Sequence, residues 1–335
     1  MTADGGRPWA LVALNMGGPD SLEAVRPFLR NLLSDPRIVR LPFPLSLAQG
    51  AFAEIVSRRR ARSATEGYRA LGGGSPLRCW SELQATKAAA AAARRGLACE
   101  PFVAMRYWKP FASEVAREIR ARGCAGVAAL TLYPQFSDAT TGTSLVDFRA
   151  ALEREGLAGT PYVEIDRWPL LPGYLDATAA SVRAALPSEG PPPFVLFSAH
   201  GLPVSYVKRG DPYLSEIEAT YRGVRERLPP DLETALSFQS RVGPAKWLEP
   251  YTDATIEALA DRGVKRLMLV PLSFTSDNIE TSYEMDSGYG DLARSRGLEF
   301  TRPAALNGDD LLCDALGALV VERVGALRGA ARGTR

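Results

Sequence analysis

Histidine is almost absent from this sequence: its 335 residues contain one, His200. A chain so built has few ways to do acid–base chemistry near neutral pH. Cysteine is scarce as well. Cys79, Cys99, Cys124 and Cys313 lie far apart with no C-x-x-C pair, which signals neither a zinc site nor an iron–sulfur cluster. Free, mostly buried thiols in a reducing compartment are expected. No stretch approaches the 18 or so apolar residues of a membrane span. The opening MTADGGRPWALVALNMGG has an acidic residue ahead of its apolar run and reaches Gly-Gly-Pro too soon for a secretory leader, so it is read as the first strand. Lys+Arg 40 against Asp+Glu 38 leaves a net charge of +2, too little for a general field that attracts nucleic acid. Nucleotide motifs are missing too. LNMGGP lacks the G-x-G-x-x-G spacing and GGGSP has no following Lys-Ser or Lys-Thr.

What is present is a repeated rhythm. Strand-like runs at 9–16, 100–107, 126–134 and 161–166 alternate with helix-like segments such as Ser81–Arg95 and Phe111–Arg122. The second half repeats the count at 194–200, 233–240, 265–272 and 298–304. Such alternation predicts an α/β chain of parallel sheets covered by helices. LTLYPQFSD and LMLVPLSFTSD share a Pro, then a Phe, then an Asp, so one unit looks used twice. The first half carries extra residues between Ser34 and Ser81, an insertion that reads apolar (LPFPLSLAQGAFAEIV), then basic (SRRRARS), then glycine-rich (YRALGGGSP). An apolar wall beside cations suits a greasy ligand with acidic tails, or an anionic membrane surface. An amphipathic helix with a solvated arginine face fits the same periodicity equally well.

His200 ends the apolar run FVLFSAH before Gly201 and Pro203 break it, which puts it at the carboxyl end of a strand, where ligand sites gather in open α/β sheets. Proton exchange and mere closure of a turn are both open readings of this residue. After the third strand of the same half comes SDNIETSYEMD. If helical, it sets Glu280 and Glu284 on one face, where two carboxylates repel unless a cation or protons lie between them. Hard oxygen ligands pass a divalent ion along without trapping it. A solvated helix start with acids favoured by the dipole is the alternative. Either way, His200 and Glu280 leave strands of one sheet on the same rim.

With LYPQFSDATTGTS, SAHGLP, GDPY, SFQSRVGPAKWL and PLSFTSDNIETSYEMD in this order, and LNMGGPDS and ALNGDDLL near the ends, the chain closely resembles ferrochelatases. These enzymes insert Fe(II) into protoporphyrin IX to form protohaem. The resemblance implies two Rossmann-like domains, each a four-stranded parallel sheet flanked by helices, facing across a porphyrin cleft. The first would span 7–172 with a lid insertion at 34–80 and a returning helix at about 309–328, and the second 173–308. It implies His200 as the residue that takes pyrrole protons or binds metal, and Glu280 and Glu284 as the acids that remove protons or guide iron, with His200 and Glu280 as metal ligands. Met16 would lie over the porphyrin face, and Arg59, Arg60 and Ser75 near the propionates. Arg106, Tyr133, Trp168 and Trp247 would line the metal side or channel.

Two departures stand out. Asn278 occupies a position that commonly carries histidine, and Gly288 one that carries a third acid. A relay at Asn278, otherwise placed among the substrate-binding positions, must use a neighbour such as Asp277 or a water. Asp138 replaces one cluster cysteine of animal members, so no iron–sulfur cluster and no organic cofactor is expected. The implied partners are protoporphyrin IX and ferrous iron, with no nucleic acid. Peripheral membrane contact would run through residues 41–62 of a cytoplasmic protein. Met16, where coproporphyrin-type members carry tyrosine, points to protoporphyrin. A coproporphyrin ferrochelatase and a non-catalytic porphyrin or haem carrier are the alternatives.

Overall fold

The computed structural model describes residues 6–41, 43–243 and 245–333. Two four-stranded sheets, parallel throughout, form at the expected runs. The first holds Trp9–Asn15 (β1), Cys99–Met105 (β2), Gly126–Thr131 (β3) and Tyr162–Ile165 (β4) in the order β2-β1-β3-β4. The second holds Phe194–His200 (β5), Thr234–Gln239 (β6), Arg266–Pro271 (β7) and Glu299–Thr301 (β8) in the equivalent order β6-β5-β7-β8. Central strands read as continuous apolar runs because helices cover both of their faces. Every residue of β1 is buried, and β5 is buried up to His200.

The chain divides into two compact units. The first runs to Leu132 and adds Asp138–Arg167 and the chain from Cys313; the second comprises Tyr133–Ser137 and Trp168–Leu312. These limits differ by a few residues from the expected 172/173 and 308/309 divisions, for a local reason. Trp168 donates its N–H to Pro134 O at 2.8 Å and sets its ring edge-on to Tyr174, while Gln135 Nε2 donates to Thr220 Oγ1 at 2.9 Å. Residues 133–137 are therefore held by the second unit.

In the first unit, Val12 and Ala129 of the sheet pack with Val115, Ile119 and Phe148 of its helices. In the second, Leu196 and Leu269 pack with Ile256 and Met285. The terminal helix Asp310–Gly333 lies against the helix Leu77–Arg94 so closely that a Cβ at Gly317 would meet Ala88 O and Ala91 Cβ at 2.5 Å. The inserted stretch folds as a 3-10 turn, Leu45–Ala48, and a long helix, Gln49–Ala70. Among the described residues, no helix is long and apolar enough to cross a membrane.

The duplication extends past the strands. After β3 the chain makes a short π-helix, Asp138–Gly142, and after β7 a longer one, Glu280–Tyr289. The position of His200 at the end of β5 is held at the end of β1 by Asn15, which donates to Ser81 Oγ at 3.1 Å. The first copy's π-helix starts at Asp138, whose carboxylate is paired with Arg37 and Arg40, whereas the second carries Glu280 and Glu284.

Candidate active site on the rim of the second sheet

β5 lies between β6 and β7, so connections leave it in opposite directions and open a crevice at the carboxyl ends of β5 and β7. His200 is the last residue of β5. Its N–H is held by Ser273 Oγ at 2.8 Å, its carbonyl accepts from Tyr213 Oη at 2.9 Å, and Phe274 stands edge-on to the ring at 6.0 Å. Backbone and ring are thus fixed, while Nδ1 is buried without a hydrogen-bond partner. A buried polar atom left unpaired is rare, and here it points to a ligand. Burial pushes the imidazole pKa down to about 4. The ring is therefore a neutral base at cellular pH.

Gly201 follows because nothing larger fits. A Cβ there would meet Gln239 O at 2.7 Å and the Trp247 ring at 3.1 Å. Trp247 itself donates Nε1 to Val242 O at 2.9 Å and zips its loop to the strand exit through Val204 N–H to Lys246 O and Leu248 N–H to Leu202 O. Its ring is thus a wall behind the His200 turn.

The acids arrive from the loop after β7. The π-helix has an i→i+5 hydrogen-bond pattern, a rare form that recurs at functional sites. Glu280 and Glu284 stand close enough to repel: burial first, and then the charge of Glu284, push the Glu280 carboxyl up to about 7. Ser240 Oγ donates to Glu284 Oε2 at 2.6 Å. Gln239 is the register partner of His200 across β5 and β6, and its Nε2 reaches the Glu280 carbonyl at 3.4 Å. The exit of β6 therefore ties the imidazole strand to the acid helix. At the far side Arg302 grips Asp286 with two bonds, at 2.7 and 2.9 Å, and Asp277 with one at 3.2 Å. Asn278 is buried and spends its amide on the helix start: Oδ1 accepts from Glu280 N and Thr281 N, and Nδ2 donates to Ser276 O. Asp277, the proposed substitute relay, is engaged by Arg302 and by Asn307 Nδ2 at 2.8 Å.

The other expected residues are distributed as follows. Trp168 is buried against Tyr174, and Tyr133 is half-buried at the start of the 133–137 segment. Both belong to the second unit. In the first unit Met16 is half-buried after β1, held by Asn15 Oδ1 on its N–H, and Ser75 docks on Pro19 O at 2.7 Å. Arg59 and Arg60 are exposed on the 49–70 helix. Arg106 binds Asp35 at 2.7 Å and Thr143 at 3.0 Å. It lines a cavity of about 410 Å³ with Asp35, Tyr107 and Asp147, a place that includes neither His200 nor Glu280.

Sequence reasoning missed Ser240, Gln239, Tyr213 and Asp35. The first two stand inside the quoted SFQSRVG block; their importance shows only once β6 is seen next to β5. Asp35 gave no signal beyond its place in SDP, yet Arg106, Tyr107, Thr143 and the Arg37 amide all donate to it.

The family model described as Ferrochelatase matches residues 8–324. A ferrochelatase of Synechococcus elongatus is 43% identical over 322 residues, covering 92% of this chain and 81% of the relative. One of Gloeobacter violaceus is 41% identical over 320 residues, covering 94% and 97%. Among solved structures, SirB from Bacillus subtilis with Fe3+ aligns at a TM-score of 0.51 and 14% identity over 74% of this chain and 90% of its own, a likeness of fold. With a family match across nearly its whole length, the chain belongs to the ferrochelatase family of metal-chelating lyases.

Proposed function

We propose that this enzyme inserts Fe(II) into protoporphyrin IX to form protohaem. The observation that carries this reading is a neutral imidazole with an unpaired Nδ1 on the same sheet rim as two half-buried carboxylates close enough to repel. A porphyrin must shed two N–H protons to accept a divalent metal. His200, unprotonated above about pH 4, can take one directly. Glu280 and Glu284 repel each other, and a cation or a proton between them relieves that repulsion. Carboxylate oxygens suit transient contact with Fe(II), the substrate metal. The family likeness assigns Met16 to the macrocycle face and Ser75, Arg59 and Arg60 to the propionates. Met16 favours protoporphyrin over coproporphyrin. No organic cofactor or iron–sulfur cluster enters the reading.

We further propose a cytoplasmic enzyme that touches the membrane from one side. Phe43, Leu45, Leu47 and Ile55 are 82%, 59%, 81% and 53% exposed, and Arg59, Arg60 and Arg62 stand exposed on the helix that follows. Apolar wedges beside cations suit an anionic bilayer.

The test is anaerobic Fe(II) or Zn(II) with protoporphyrin and, in parallel, coproporphyrin, followed by absorbance. Catalytic turnover with protoporphyrin is expected. Stoichiometric binding without turnover would support the carrier reading, and faster coproporphyrin turnover the other substrate. His200→Ala is expected to lose about 10²–10⁴-fold in turnover while still binding porphyrin.

A further inference from the structure

We infer that Asn278 is a positioning residue: its side-chain amide caps the π-helix and thereby sets where Glu280 presents its carboxylate. The inference rests on the functional reading above and names a role for this chain's own departure from the commoner histidine. A helix start leaves its first N–H groups without internal partners, and the i→i+5 pattern leaves one more than an α-helix does. Asn278 Oδ1 takes two of them, from Glu280 at 2.8 Å and Thr281 at 3.2 Å. Thr281 answers: its Oγ1 accepts the Asn278 N–H at 2.9 Å and lies 3.2 Å from the Asn278 carbonyl. The Ser282 N–H closes the first turn on that carbonyl at 2.9 Å. Nδ2 then holds the incoming loop at Ser276 O, 3.3 Å away.

Both residues of this box are buried, Asn278 at 7% and Thr281 at 0% exposure, so water cannot replace the lost acceptor. The residue whose N–H sits best in the cap is Glu280, and no other side chain hydrogen-bonds its carboxylate among the described residues. Its direction is therefore inherited from the backbone that Asn278 holds. A neutral imidazole offers one acceptor nitrogen and cannot take two adjacent amides in this geometry.

Three variants and a backbone readout test the idea. Asn278→Leu keeps the volume and removes the acceptor; Asn278→Asp keeps the acceptor; Thr281→Val removes only the answering hydroxyl. Loss of a cap corresponds to roughly a tenfold effect. Asn278→Leu is expected to lower kcat/KM for the metal by about tenfold, mostly through KM, with porphyrin affinity unchanged. Asn278→Asp should restore metal KM, and Thr281→Val should shift it in the same direction as Leu by less. Amide hydrogen exchange at Glu280 and Thr281 should quicken in the Leu variant and not in the Asp variant. Wild-type metal KM in Asn278→Leu, or a loss in Asn278→Asp equal to that in Leu, overturns the inference. If Asn278→Leu does not fold, an unchanged metal KM in Thr281→Val overturns it. Absence of turnover in the wild-type protein would instead strike at the ferrochelatase reading, and the exchange measurement would still decide whether the cap exists.

Discussion

Ser240 Oγ donates a hydrogen bond to Glu284 Oε2 at 2.6 Å, and it does so from a left-handed backbone with φ of 61°. A non-glycine residue holds that conformation at a cost of about 1–2 kcal/mol, accepted here because the hydroxyl is delivered to a carboxylate.

Ser240→Gly should therefore separate two effects. It relieves about 1–2 kcal/mol of backbone strain but deletes a charge-assisted hydrogen bond of similar worth, so thermal stability should change little while turnover falls by roughly tenfold or more. Thermal melts and steady-state kinetics on one preparation check both. Undiminished turnover in this variant would mean that Glu284 needs no anchor.

Glu284→Gln removes the second of the two causes that raise Glu280. The Glu280 carboxyl should move down from about 7, yet stay above the usual 4.5, because burial is the larger cause and remains. Difference infrared spectroscopy of the protonated carboxyl band against pH would follow it. As the two acids interact, the wild-type titration belongs to the pair and not to one residue.

Stability against pH should show two opposed slopes. His200, lowered to about 4, binds a proton more readily in the unfolded chain, so its contribution rises from about pH 4 to 6.5. Glu280, raised to about 7, binds one more readily in the folded chain, so its contribution falls from about pH 4.5 to 7. The wild-type profile should be nearly flat across the overlap. Denaturant unfolding of His200→Ala should uncover the falling slope and Glu280→Gln the rising one, each at most about 1.4 kcal/mol per pH unit. Parallel profiles in all three proteins would rule out both shifts.

At the exposed lip, Phe43→Ser with Leu47→Ser should weaken binding to vesicles containing anionic lipid while leaving turnover with soluble porphyrin near wild type. Sedimentation with vesicles of mixed and neutral composition measures it. Equal binding by both proteins would remove the lip from any membrane role.

The strands were legible because covered parallel strands announce themselves as apolar runs, and all eight lie within three residues of the expected limits. The duplication was legible in the LYPQFSD and LVPLSF segments, and the structure extends it to matching strand orders and to a π-helix after the third strand of each unit. His200 and Glu280 could be placed on one rim from their positions after strands. What stayed hidden depends on pairing that no linear pattern encodes. Ser240 matters because β6 happens to neighbour β5, and Asp35 because segments 71 and 108 residues away in sequence bring Arg106 and Thr143 to it. The π-helix hid behind α-like spacing: residues four apart share a face in either form. Asn278 looked like a lost titrating group, since a cap is recognised by the two amides it faces.

His200 has one more consequence. Because no other imidazole exists in the chain, every histidine resonance in a magnetic-resonance spectrum reports from the end of β5. Protonation, tautomer and arrival of a ligand at Nδ1 can thus be followed without isotopic dilution or assignment, in the intact protein, from a single peak.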